Sequence, residues 1–414
     1  MIRHNATAER GVEWFDKNLI QREEDGLAKS RFFSLPFMLQ TSGSDTGRPA
    51  NIWQPAPSHC DPKVARSSQA TFRRKYMLIS SLKRFVAAAC LIPFMAIVNA
   101  LVGSSISPPA ERHFEFSYLA KIPPLRQDAR ISKLWIPLPQ SDDHQSIDAL
   151  RIESPFAYAR HRDPQYGNEY LYLEIPADKI TEPAEIRVSF HAVRREHRVA
   201  LDWNLQGEYL HAPETSSLRR FLEPDRRIPL QGTIRDLSTQ VTQGLTGPLP
   251  KARAIYNYVL ANMRYDKSGT GWGNGDAIWA CTAKRGNCTD FHSLFIGMMR
   301  AAGIPARFEI GFPLPPDQHS GPVSGYHCWA EFYVEPYGWI PVDASEAWKH
   351  PEKRDYFFGA NDVNRVEFTV GRDIQLDPVQ HGDPLNYFIY PYAEVDGKPV
   401  ALTSAFSFQD RPIS

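Results

Sequence analysis

The chain has 414 residues, a length that at about 150 residues per domain implies two or three domains. Hydrophobic residues make up 42% and aromatic ones 12%, enough for a sizeable core, which sets aside a wholly disordered or fibrous chain. The 47 basic and 47 acidic residues cancel, and no basic stripe or acidic tail stands out, which argues against nucleic acid as the partner.

Residues 1–76 hold no sustained helical or strand period and read as a disordered or over-extended N-terminus. Lys83 and Arg84 then precede an apolar run from Phe85 to Val98, and Val98-Asn99-Ala100 offers a small-residue cleavage site. Residues 77–100 are therefore expected to be a signal peptide or signal anchor, with Met77 as the true start. Left uncleaved, residues 85–102 would serve as a membrane anchor. Either way the rest of the chain is expected to be exported, as a periplasmic protein or one anchored facing the periplasm.

Residues 110–200 read as a β-sandwich-like N-terminal module. "HFEFSYLAKI", "KLWIPLPQ", "YLYLEIP" and "EIRVSFHAVRRE" alternate or cluster aromatic and β-branched residues between Pro, Asp, Asn and Gly breaks. The 34 prolines suit such a strand- and loop-rich module better than a helical bundle. No catalytic cluster stands out in it.

A different pattern occupies residues 216–350. "PKARAIYNYVLANMRY" (250–265) predicts a helix with Ala254, Tyr258 and Val259 on one face, and a Gly-rich loop follows it. Phe291, Leu294, Phe295, Met298, Met299 and Ala302 fall at helical spacing, with Gly303 at the C-terminal cap and Pro305 blocking continuation. "ARFEIGF" reads as a strand, and "HCWAEFYVE" and "GWIPVDA" as a hairpin turning at Pro336-Tyr337-Gly338. Residues 351–414 are expected to form a β-rich C-terminal extension, with an Asp-Gly hairpin in "YPYAEVDGKPVAL".

The chemistry concentrates around "RGNCTDFHSLF". Cys288 stands at the N-terminus of its helix, where the helix dipole and free N–H groups favour a thiolate and could hold an oxyanion. A thiolate nucleophile needs a base and a group that orients the base. His327 opens the first hairpin strand and Asp343 ends the second. A ladder centred on Tyr337 misaligns the two by about three residues, an offset that a bulge at Pro341 could absorb. Taken singly, Asp343 reads as a cap before Ala344-Ser345.

The stretch "GNCTDFHSLFIGMMRAAGIPARFEIGF … GYHCWAEFYVEPYGWIPVDAS" resembles the transglutaminase-like superfamily in its bacterial branch. The resemblance covers roughly residues 250–345. It implies an α+β, papain-like fold with Cys288 as nucleophile, His327 as base and later acid, and Asp343 as orienting carboxylate. The activity it implies is acyl transfer or hydrolysis at an amide or peptide bond through a thioester, as in a cysteine peptidase or amidase, with a protein or peptide substrate and no cofactor. The calcium sites and trailing barrels of animal transglutaminases have no counterpart in this sequence. The Cys288 N–H is the expected oxyanion donor, with Asn287, Tyr265 or Trp279 as candidates for a second.

Three rival readings use the same residues. Cys288 and His292, four apart on one helix, could bind a metal with His327 or Cys328, but adjacent strand residues face opposite ways and no second ligand pair is evident, so no metal is expected. If Cys288 is a free thiol, Cys281 and Cys328 remain as a candidate disulfide. A non-catalytic scaffold that binds peptide or glycan is the third.

Overall fold

The computed structural model describes residues 110–125, 128–203 and 216–412; the expected signal segment and everything before it lie outside them. The described N-terminal part runs β1 (Glu111–Ile122), β2 (Ile131–Pro137), β3 (Gln145–Glu153), β4 (Ala159–Arg162), β5 (Glu169–Pro176), β6 (Ala184–Arg195) and the short β7 (His197–Arg198). Next come α1 (Ser216–Arg219), α2 (Thr233–Thr242), α3 (Pro248–Asn262), β8 (Arg264–Tyr265), α4 (Ala277–Ala283), β9 (Arg285–Gly286) and α5 (Cys288–Ala301). The chain continues through β10 (Ala306–Pro313), β11 (Ser320–Val323), β12 (His327–Val334), β13 (Gly338–Val342), α6 (Ala344–Lys349), β14 (Ala360–Asn361) and β15 (Arg365–Val370). It closes with β16 (Tyr392–Val395), β17 (Lys398–Val400) and β18 (Thr403–Asp410). The architecture is α+β.

Two five-stranded antiparallel sheets, ordered β11-β18-β1-β6-β3 and β17-β16-β2-β5-β4, hold the N-terminal strands. Alternation on β1 buries Phe114, Phe116, Tyr118 and Ala120 on one face. The Phe116 ring lies 5.3 Å from Phe312 of β10 and 5.9 Å from Phe368 of β15, so the first sheet packs against the sheet that carries the site. That site-bearing sheet is four-stranded, ordered β13-β12-β10-β15. Its other face receives α5, which is buried on every side from Cys288 to Arg300 and is the central helix of the molecule.

The expected strands appear as β1, β2, β5, β6, β10, β12 and β13. The Asp-Gly hairpin is present between β16 and β17, with φ of 50° at Asp396 and 74° at Gly397, the positive pair that a two-residue turn requires. The helix expected at 250–265 starts earlier, at Pro248, and ends at Asn262. Its buried stripe is Ala252, Ile255, Tyr256 and Val259 rather than the face through Ala254 and Tyr258, because Tyr256 and not Tyr258 continues the i, i+3, i+4 series inward.

The described strands after residue 351 are built into the sheets of the rest of the chain. β15 completes the site-bearing sheet, β18 pairs with β1 along eight residues, and β16 pairs with β2. β11, from the loop before the site hairpin, pairs with the other edge of β18. Each module is thus finished by strands from the far end of the chain.

Candidate active site

The sequence "GNCTD" starts α5 with a capping box. Asn287 Oδ1 accepts from the Thr289 N–H at 3.0 Å, and Asp290 Oδ2 accepts from the Asn287 N–H at 3.0 Å. Two backbone donors of the first turn are thereby satisfied, and Cys288 is held as the first helical residue, 2% exposed. Asp290 also accepts from Gly273 N–H at 2.7 Å and Gly275 N–H at 3.0 Å, tying the Gly-rich loop to the helix that carries the thiol. Burial pushes the Asp290 carboxyl up to about 7 against the pull of those three N–H donors.

Strands β12 and β13 pair in regular register, Ala330 opposite Val342 and Glu331 opposite Pro341. The bulge expected at Pro341 is therefore not formed. Asp343 instead leaves the strand to become the N-cap of α6, and from there its side chain reaches back to His327. His327 Nε2 and Asp343 Oδ2 are 2.7 Å apart, with Asp343 fully buried and His327 6% exposed. The Cys288 sulfur lies close enough to His327 for each to shift the other's titration, and since Nε2 is taken by Asp343, Nδ1 is the ring nitrogen left for the sulfur. All three residues singled out in the sequence meet in one chain of contacts.

The electrostatics follow from that chain. Burial alone would raise the Cys288 thiol, but hydrogen bonds from Cys328 and His327 and the His327 charge hold it well below the ordinary thiol range. Burial alone would lower His327, yet the Asp343 carboxylate and the Cys288 sulfur push it up to about 10. Asp343 is opposed by burial too, and His327 and Arg365 keep its carboxyl well below the usual range. The arrangement favours a thiolate–imidazolium pair.

His292 does not face that pair as a ligand. Its Nε2 accepts from the Ala344 N–H at 3.1 Å, and its Nδ1 lies 3.8 Å from Cys328 Sγ. With burial lowering its pKa, the ring sits neutral between α5 and the start of α6. Cys328 is a free buried thiol 3.7 Å from Thr289 Oγ1, so the candidate Cys281–Cys328 bridge is not formed. Geometry explains this: Cys328 points to the α5 face of the sheet, where it meets Thr289 and Cys288.

Three contributors escaped the sequence reading. Arg365 on β15 donates to Asp343 Oδ2 at 3.2 Å, is 2% exposed and lies 4.8 Å over the Trp329 ring. Tyr326 places its hydroxyl 3.0 Å from both Thr289 Oγ1 and Asn287 Nδ2, closing over the helix end. Asp290 was the third, and the signal that could have found it is its place three residues after Asn287, the capping-box spacing. Of the proposed second oxyanion donors, Asn287 has both side-chain atoms engaged, and the Trp279 indole packs against Gly271. Tyr265 packs on Phe291 and under Lys349, and burial first, then the charge of the nearby Cys288 sulfur, raise its phenol.

Residues 235–344 match the model of the Transglutaminase-like superfamily, so the resemblance read from the sequence holds for the segment that carries Cys288, His327 and Asp343. An uncharacterised protein of Haemophilus influenzae is 29% identical over 303 residues, 65% of this chain and 82% of the relative. The uncharacterised YebA of Bacillus subtilis is 21% identical over 45% of this chain and 24% of its own length. Among solved structures, a candidate cysteine protease of Cytophaga hutchinsonii matches 74% of this chain and 92% of its own at TM-score 0.49 and 16% identity. The periplasmic domain of TgpA from Pseudomonas aeruginosa matches 59% of this chain and 90% of its own at TM-score 0.29 and 18% identity.

Proposed function

We propose that this transglutaminase-like core is a thiol-dependent acyl-transfer enzyme, most simply a cysteine peptidase or amidase. The observation that carries the reading is the Cys288–His327–Asp343 cluster, with His327 bonded to Asp343 at 2.7 Å and its charge acting on the sulfur of a helix-end cysteine. In the first step the Cys288 thiolate adds to an amide carbonyl while the Cys288 N–H and the α5 N-terminus meet the developing oxyanion. His327, as imidazolium, then gives its proton to the leaving amine, and a thioester remains. His327 as base next takes a proton from water, releasing a carboxylic acid, or from an amine, forming a new amide. Asp343 keeps Nε2 protonated and the ring turned towards the sulfur. Of the candidate second donors, Tyr265 lies near enough to Cys288 to feel its charge, and it would supply the other oxyanion hydrogen bond.

The substrate class proposed is a protein or peptide amide, and the site of action is outside the cytoplasm, reached through residues 77–100. Incubation with a library of peptide amides, with and without a primary amine, and mass analysis of the products tests the reaction. Hydrolysis alone marks a peptidase or amidase, and amine incorporation marks a transglutaminase. Cys288→Ala should abolish either product, and turnover surviving that change would refute the mechanism.

A second reading is favoured by one observation: Cys288 is 2% exposed and His327 6%. A scaffold that keeps the fold and binds peptide or glycan without turnover would show such closure. Alkylation by iodoacetamide separates the two, because an activated thiol reacts below about pH 7 and an ordinary one does not.

A further inference from the structure

Cys328 is a buried free thiol that the mechanism leaves without a task. It shares the α5 face of β12 with Phe332, whose ring meets Phe295 of α5. Its Sγ lies 3.7 Å from Thr289 Oγ1 and 3.8 Å from His292 Nδ1. On a helix surface residues i, i+1 and i+4 bound one hole, so a sulfur resting on Thr289 and His292 also borders Cys288. Each of the two cysteines accordingly shifts the other's titration.

The direction of the Cys328 proton follows from His292, which is wholly buried. His292 Nε2 accepts from the Ala344 N–H at 3.1 Å, so that nitrogen carries no proton. Burial keeps the ring neutral, and a neutral imidazole has one N–H, which is then on Nδ1. Nδ1 therefore has no lone pair to offer the thiol. Cys328 is left to donate to the first turn of α5, where its acceptors are Thr289 Oγ1 and the Cys288 sulfur. Thr289 has the Tyr326 hydroxyl at 3.0 Å as a second partner, so the thiol proton can leave it for a negative sulfur at little loss. The other titratable groups near that sulfur have their own tasks. His327 pairs with Asp343, Asp290 takes three backbone N–H groups, Tyr326 holds Thr289 and Asn287, Lys349 bonds Glu346, and Tyr265 is the proposed oxyanion donor.

We infer that Cys328 is a positioning residue for the nucleophile: its S–H donates to the Cys288 thiolate, and His292, fixed as the Nδ1–H tautomer, keeps that proton turned to the helix end. The inference rests on the reading of Cys288 as a thiolate nucleophile and deepens it. Removing the donor should destabilise the ionised sulfur and raise its pKa, by about one unit for a hydrogen bond to a charged group.

Iodoacetamide alkylation of the full chain against pH, with Cys288 and Cys328 counted separately by peptide mass, tests the inference without any turnover. The midpoint at Cys288 should rise by about one pH unit in Cys328→Ala and return most of the way in Cys328→Ser, which restores a donor. His292→Leu should raise it as well, yet add nothing in a Cys328→Ala background, because it acts through that thiol. Should Cys328→Ala not fold, Cys328→Val fills the same space without a donor. An unmoved midpoint in Cys328→Ala, in Cys328→Val or in His292→Leu, no recovery with serine, or additive shifts in the double variant would overturn the inference and leave the nucleophile standing. A parent midpoint in the ordinary thiol range would overturn both.

Discussion

Asp343 divides its two oxygens between two tasks. Oδ1 accepts from the Glu346 N–H at 3.0 Å and caps α6, while Oδ2 holds His327 and Arg365. The sequence offered the cap and the triad as competing readings, and one carboxylate serves both. Asp343→Asn keeps the cap but loses the charge and the tautomer control, and should lower kcat by about 10³–10⁴-fold in amide turnover. Arg365 was illegible beforehand, because one arginine in "NRVEFTV" carries no mark of a partner 22 residues earlier. Arg365→Gln removes a positive charge beside the pair, so the His327 pKa should rise, the alkaline limb of the rate profile should move upward and kcat should fall roughly tenfold. For the parent protein, thiol alkylation should stay fast below pH 7, and the alkaline limb of turnover should lie near pH 10, where His327 gives up its proton. The stability sign is fixed as well. His327 is raised from 6.5 to about 10, so its contribution is complete below pH 6.5 and drains away as pH rises towards 10. Thermal melts should show that loss, and Asp343→Asn should flatten it.

Helix α5 and the site hairpin were readable because each follows one period for its whole length, with Gly303 and Pro305 to stop the helix. β3 and β4 were not, since "QSIDALRIE" and "ARHR" expose polar residues on both faces, and β3 breaks its register between Asp148 and Arg151. The Gly-rich loop was seen only as a loop, without its anchor. Asp290 supplies that anchor, and Gly286, at φ 149°, lets it approach: a Cβ there would sit 2.3 Å from Asp290 Oδ2. Asp290→Ala strands the Gly273, Gly275 and Asn287 N–H groups, and should cost about 2–4 kcal/mol in urea unfolding and quicken proteolysis of the loop. Gly286→Ala should fail in the same place, by collision rather than by loss of an acceptor.

Long-range closure was the part hidden from the sequence. A strand's pattern says that it has a buried face but does not name its neighbour, and β1 and β18 pair across the whole described chain, Phe114 opposite Asp410. Deleting residues 403–412 should strip the ladder from β1, leave β11 without its partner and lower the unfolding midpoint in urea far more than a surface truncation would. The same closure sets an order in time. Arg112 and Asp410, which grip each other at 2.9 Å, are 298 residues apart, and at 5–20 residues per second the first waits about 15–60 s on the ribosome for the second. Cys288, His327 and Asp343 are all made inside that interval, before Arg365 and before the strand that locks the sheets. A chain interrupted between Cys288 and its last strand thus carries the thiol without its finished frame, which leaves such unfinished copies open to clearance.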